Sequence, residues 1–123
     1  MKLQPDRLEG VNAINACVPG RITINGQPWT HSVLVPWQGE VCAWDDARPG
    51  MVQAEHFERL VGLSPEVVIF GSGQTLRFAP PVVLRSLYER RIGIETMDTA
   101  AACRTYNILV GEGRRVVAAL LLG

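Results

Sequence analysis

Hydrophobic and polar positions change their rhythm part-way along this chain. Val11 to Val18 is a weak strand candidate, and Pro19-Gly20 turns it. Arg21-Ile22-Thr23-Ile24-Asn25 alternates with a period of two, the mark of a half-buried strand. Asn25-Gly26 then supplies a tight hairpin turn, and Trp29 to Val35 is expected to return. Glu40-Val41-Cys42-Ala43-Trp44 reads as a further strand, and Pro49-Gly50 closes the loop after it. From Val52 the apolar residues Ala54, Phe57, Leu60 and Val61 fall at helical spacing, with Gln53, Glu55, Glu58 and Arg59 opposite.

The remainder alternates strand with helix. Glu66-Val67-Val68-Ile69-Phe70 is short and uniformly apolar, which suits burial on both faces. It ends at Gly71-Ser72-Gly73, and Gln74 to Phe78 is expected to be extended. Pro80 or Pro81 opens a helix lined by Val83, Leu84, Leu87 and Tyr88, which Gly93 ends. Ile94 to Met97 is a strand. Asp98 and Thr99 start an alanine-rich helix that Gly111 or Gly113 stops, and Arg114 to Leu122 is the final strand. Strands early and strand-helix alternation later predict one α/β domain over 1–123, with a mixed sheet backed by helices.

Composition narrows the class. The chain has 123 residues, enough to bury a core in one domain. Twelve basic and twelve acidic residues cancel, so no overall field draws it to nucleic acid or an anionic membrane. Cys17, Cys42 and Cys103 form no C-x-x-C, and an odd, scattered set fits reduced thiols. Met1 to Arg7 leads into no apolar signal core, and the apolar run Val116 to Leu122 is far short of the ~20 residues of a membrane helix. A soluble cytoplasmic protein without membrane insertion is expected.

No catalytic arrangement is complete. Gly71-Ser72-Gly73 after a strand, with Glu95 further on, imitates a dinucleotide fingerprint, but Leu76 stands where its third glycine belongs. Neither His31 nor His56 has a partner at ligand spacing, so no metal or other cofactor is expected. Cys103, in mid-helix among alanines, reads as a small buried hydrophobe. Arg77, Arg85, Arg90 and Arg91 make a basic helix side, but no stacking aromatics accompany them, and a solvated or protein-binding face is preferred.

One edge is a candidate binding site. If strands 66–70 and 94–97 are parallel neighbours, Gly71, Ser72 and Gly73 meet Asp98 and Thr99 at one end of the sheet. Free amides there, with Arg104 nearby, could hold a small polar group. The plainer alternative makes the glycines turn formers, Asp98 a helix cap, and Arg104 a part-buried residue paired with Glu112. Of Trp29, Trp37 and Trp44, all near turns, Trp37 in Pro36-Trp37-Gln38-Gly39 is the candidate anchor for self-association or a partner.

The strand and turn Val67–Gly73, Phe78-Ala79-Pro80-Pro81, Gly93-Ile94-Glu95, and Met97-Asp98-Thr99 through Cys103-Arg104-Thr105-Tyr106-Asn107-Ile108-Leu109 to Glu112-Gly113-Arg114-Arg115-Val116 resemble a family. It is a small domain family of unknown function that includes mitochondrial complex I assembly factor 3. Gly71-Ser72-Gly73 stands where Gly-Thr-Gly is commoner. The resemblance implies a three-layer β/β/α fold distinct from the Rossmann fold, with no established catalysis. For the mitochondrial relative it implies work on respiratory complex I with a protein partner; this chain is similar to the free-standing bacterial members. The expected function is therefore a non-enzymatic assembly or interaction factor. The alternative is a small-molecule binder or enzyme using the Gly71–Gly73 and Asp98–Arg104 edge.

Overall fold

The computed structural model describes residues 10–122, so the leader expectation on Met1–Arg7 lies outside the described residues. Strands β1 (Ile14–Val18), β2 (Arg21–Ile24) and β3 (Gln27–Trp29) form a three-stranded antiparallel sheet. Asn25 and Gly26 both take positive φ, 52° and 83°, the mirror-image turn whose twist matches a hairpin. The chain then leaves this sheet. Trp29 to Val35 is not one returning strand: β3 stops at Trp29, and β4 (Val33–Pro36) begins a second sheet. Buried Ser32 fixes the corner, donating to the Ala47 carbonyl at 2.7 Å and accepting from the Leu122 amide at 2.9 Å.

The second sheet has five strands. In chain order they are β4, β5 (Cys42–Ala43), β6 (Val67–Gly71), β7 (Gly93–Met97) and β8 (Val116–Leu120), arranged β5-β4-β8-β6-β7. β4 runs antiparallel to β8, whereas β6 is parallel to both β8 and β7. The central places explain the composition of β6 and β8, in which every residue is buried. Residues 74–78 form no strand. They follow a loop organised by the Ser72 hydroxyl, which donates to the Thr75 carbonyl at 2.8 Å and accepts from the Arg77 amide at 2.9 Å.

Three helices complete the molecule: α1 (Ala54–Val61), α2 (Arg85–Glu89), entered through a 3-10 turn at Pro81–Leu84, and α3 (Thr99–Gly111). One face of the five-stranded sheet carries Leu34, Val68, Phe70, Val117 and Ala119, packed on Phe57 and Leu60 of α1 and on Leu84 and Leu87. Trp44 fills this side, edge-on to Phe57 and Phe70, with its indole N–H on the His56 carbonyl at 3.0 Å. The opposite face carries Val33, Val35, Val67, Ile69, Val116, Ala118 and Leu120. These pack on Ala102, Cys103, Tyr106 and Val110 of α3 and on Ile14, Ile22 and Ile24 of the small sheet.

The α/β class and the β/β/α order of layers hold, with α1 and α2 together on one side. α3 does not join them: it lies beside the small sheet. Strand order supplies the reason. The connection from β6 to β7 moves outward, and that from β7 to β8 moves back past β6. Right-handed crossovers in opposite directions put their helices on opposite faces.

Candidate functional site

β6 and β7 are parallel, with Gly71 opposite Met97, so the loop after β6 and the start of α3 meet at one end of the sheet. Their continuations diverge to opposite faces, the place where open α/β sheets leave a ligand crevice. Here the two segments close on each other. The Thr99 amide donates to the Gly73 carbonyl at 2.8 Å, and the Gly73 amide donates to Thr99 Oγ1 at 2.9 Å. Thr99 Oγ1 in turn donates to the Leu121 carbonyl at 2.9 Å. The Ser72 amide donates to the Met97 carbonyl at 2.9 Å. Thr99, 4% exposed, thus knots the ends of β6 and β8 to the first turn of α3.

The two glycines answer different demands. A Cβ on Gly71 would stand 3.0 Å from the Thr99 Cα and Oγ1, so a side chain would crowd the first turn of α3 and force it to give by a few tenths of an ångström. Gly73 adopts φ of 109°, closed to other residues, and turns the chain beneath Pro49. Asp98 is the N-cap of α3, its Oδ1 accepting from the Ala101 amide at 2.9 Å. Amides that the sequence left available for a ligand at Ser72, Gly73, Thr99 and Ala101 are already bonded within the protein.

Arg104 does not join this cluster. It is exposed, on the solvent side of α3 with Ala100 and Ile108, and Ile108 is itself 60% exposed. The expected pairing with Glu112 is absent too. Glu112 is the C-cap, more than two turns further along, which on a helix is roughly 12 Å of axial rise. Ion pairing among the described residues falls instead on Glu66, which faces Arg114 and Arg115. The Arg114 side chain first, and then the Arg115 amide, hold the Glu66 carboxyl below its ordinary value of 4.5.

A cavity of about 240 Å³ lies beside the knot. Cys17, Val18, Pro19 and Gly20 of the β1–β2 turn form one wall, and Asp98, Thr99 and Ala100 another, with Gly73 and Leu121 between them. Of the sequence candidates it gathers Gly73, Asp98 and Thr99, leaving Gly71, Ser72 and Arg104 outside its lining. Sequence reasoning missed Cys17 and the 18–20 turn, because their approach to α3 depends on the layer into which that helix falls. Trp37 is half-buried and packs against the cores on both faces of the large sheet, whereas Trp44 is buried outright.

A mixed sheet with this strand order, and a Gly-Ser-Gly turn knotted to a capped helix, defines a small α/β domain rather than a nucleotide-binding half. The chain belongs to the family described as a protein of unknown function, DUF498/DUF598, whose model matches residues 14–121. Its fold is similar to that of a crystal structure from Bordetella parapertussis, with a TM-score of 0.87 at 37% identity, covering 95% of this chain and 100% of that one. Among curated relatives, the NADH dehydrogenase [ubiquinone] 1 alpha subcomplex assembly factor 3 of Mus musculus is 35% identical over 72% of this chain and 48% of its own length. This chain thus spans about half of that relative. A Francisella tularensis protein called "13 kDa major membrane protein" is 23% identical over 94% of this chain and 95% of its own. No helix among the described residues is long and apolar enough to cross a membrane.

Proposed function

We propose that this protein is a non-enzymatic assembly or interaction factor that works by binding another protein, with respiratory complex I assembly as the role suggested by the assembly-factor relatives. The observation that carries this reading is an exposed apolar surface. Phe78 is 70% exposed, Met51 64%, Val82 62% and Leu76 57%. The loop through Pro49 and Gly50 lies against Gly73 and Arg77, which brings Met51 to the same region as residues 76–82. Arg77 and Arg85, close to these residues in sequence, are also exposed. Large apolar side chains left in water beside arginine are the composition of a protein-binding surface. Trp37, half-buried just past the end of β4, is the second candidate contact, for a partner or for self-association. The odd, scattered set of three cysteines favours a cytoplasmic, reducing setting.

The test is genetic and biochemical together. Deleting the gene in the native host should lower assembled complex I on native gels. The wild-type chain should restore it, and a Phe78→Asp, Val82→Asp chain that still folds should not. Unchanged complex I in the deletion strain would remove the complex I role.

The cavity beside Thr99 supports a second reading, a small-molecule binder. Its competitor status is limited by the amides of the knot, which already have protein partners. Ligand-dependent chemical-shift changes confined to Cys17–Gly20 and Asp98–Ala100 in a metabolite screen would favour it.

A further inference from the structure

β1 and α3 are held in a fixed relation along their length. At one end the Asn107 side chain bonds both backbone groups of Ile14. At the other, Val18, Pro19 and Gly20 face Asp98, Thr99 and Ala100 across the cavity. As β1 advances from residue 14 to residue 18, its neighbours on α3 therefore retreat from 107 toward 100. Cys17 and Cys103 lie between these two fixed points, within about one turn of α3 of each other along the helix axis, and pack in the same core. Cys103 is 4% exposed in the core shared by α3 and the small sheet, and Cys17 packs against that core. Cys17 also lines the cavity, so one of the two thiols is reachable from solvent. Cys42 packs against the core on the other face of the large sheet, with Arg59 on its sulfur at 3.4 Å.

We propose that Cys17 and Cys103 are a redox-active dithiol, closed to a disulfide by a hydroperoxide that enters through the cavity. Cys17 reacts first, as its thiolate: its sulfur takes an oxygen from the peroxide, the O–O bond breaks, and hydroxide leaves to become water with the proton Cys17 gave up. Cys103 then attacks the Cys17 sulfenic sulfur, forming the S–S bond and expelling the second water. Two thiols and one hydrogen peroxide thus give one disulfide and two waters. Burial, and after it the neighbouring Cys17 thiol, push the Cys103 thiol up, consistent with its acting second. The bridge ties β1 to α3 and fixes one wall of the cavity. This inference does not depend on the identity of any partner.

The full-length reduced protein would be treated with hydrogen peroxide, alkylated, and mapped by mass spectrometry without reductant. The expected product is a monomer with one alkyl group, on Cys42, and two hydrogens fewer than the reduced chain so alkylated, with the Cys17 and Cys103 peptides joined. Cys17→Ser should leave Cys103 reduced, and Cys42→Ser should leave the bridge intact. Three results would overturn the proposal: Cys17 over-oxidised while Cys103 stays alkylatable, a link through Cys42 or between two chains, or both thiols unreacted. The mapping is made on the unvaried protein, so a variant that folds poorly does not blunt the test.

Discussion

The Asn107 carboxamide and the backbone of Ile14 form a reciprocal pair: Nδ2 donates to the Ile14 carbonyl at 2.7 Å, and Oδ1 accepts from the Ile14 amide at 3.1 Å. β1 is an edge strand of the small sheet, and the helix side chain takes the place of a further strand at that residue. The neighbouring Tyr106 hydroxyl extends the tie to the Asn12 and Pro36 carbonyls, at 2.8 and 3.1 Å. Asn107 and Tyr106 of α3 thus tie the helix to β1, to the segment before it and to the end of β4.

Asn107→Ala is expected to cost about 2 kcal/mol, from two lost bonds near 1 kcal/mol each. Asn107→Asp should cost more, because a carboxylate would face the Ile14 carbonyl without a proton to offer. Urea denaturation of the three proteins checks the order. Asn107→Asp matching the wild type would refute the account.

Thr99→Val should destabilise by about 2 kcal/mol, since the Gly73 amide and the Leu121 carbonyl would lose their buried partner. Thr99→Ser keeps the hydroxyl and should recover most of this. Equal denaturation midpoints for the valine and serine variants would show that the hydroxyl is not the tie.

Asp98→Ala is expected to cost about 1 kcal/mol, the usual effect of a lost N-cap. Asp98→Asn preserves an acceptor for the Ala101 amide and should be nearly neutral. Thermal melts of both variants make the comparison. An alanine variant as stable as the wild type would sink the assignment.

Arg104→Ala, at a solvated position without an ion pair among the described residues, should change stability by less than about 0.5 kcal/mol. A loss of several times that amount in urea would mean that the guanidinium has a structural partner after all.

Glu66 predicts an acid-side effect. Its folded carboxyl titrates below the ordinary 4.5, so the folded state binds this proton less tightly than the unfolded chain. The stabilisation is complete above about pH 4.5 and is lost as pH falls through the lower folded value. Glu66→Gln should remove that part of the acid-side slope and lower stability near neutrality. Parallel slopes for the two proteins in urea melts at stepped pH would contradict it.

What the sequence determined by itself is local. Asn25-Gly26 demands the hairpin, Asp98 and the alanines demand a capped helix, and the unbroken apolar run of β6 demands burial on two faces. Each is governed by contacts a few residues apart, which a single sequence carries. The meeting of the Gly71–Gly73 turn with Asp98 and Thr99 was also legible once β6 and β7 were taken as parallel neighbours. Tertiary structure decided the remainder. That β8 sits at the centre, that α3 crosses to the face of the small sheet, and that Asn107 meets Ile14 while Arg104 faces water all depend on strand order. Strand order is chosen by which faces can be buried together, and those pairings join residues far apart in the chain whose spacing leaves no periodic trace.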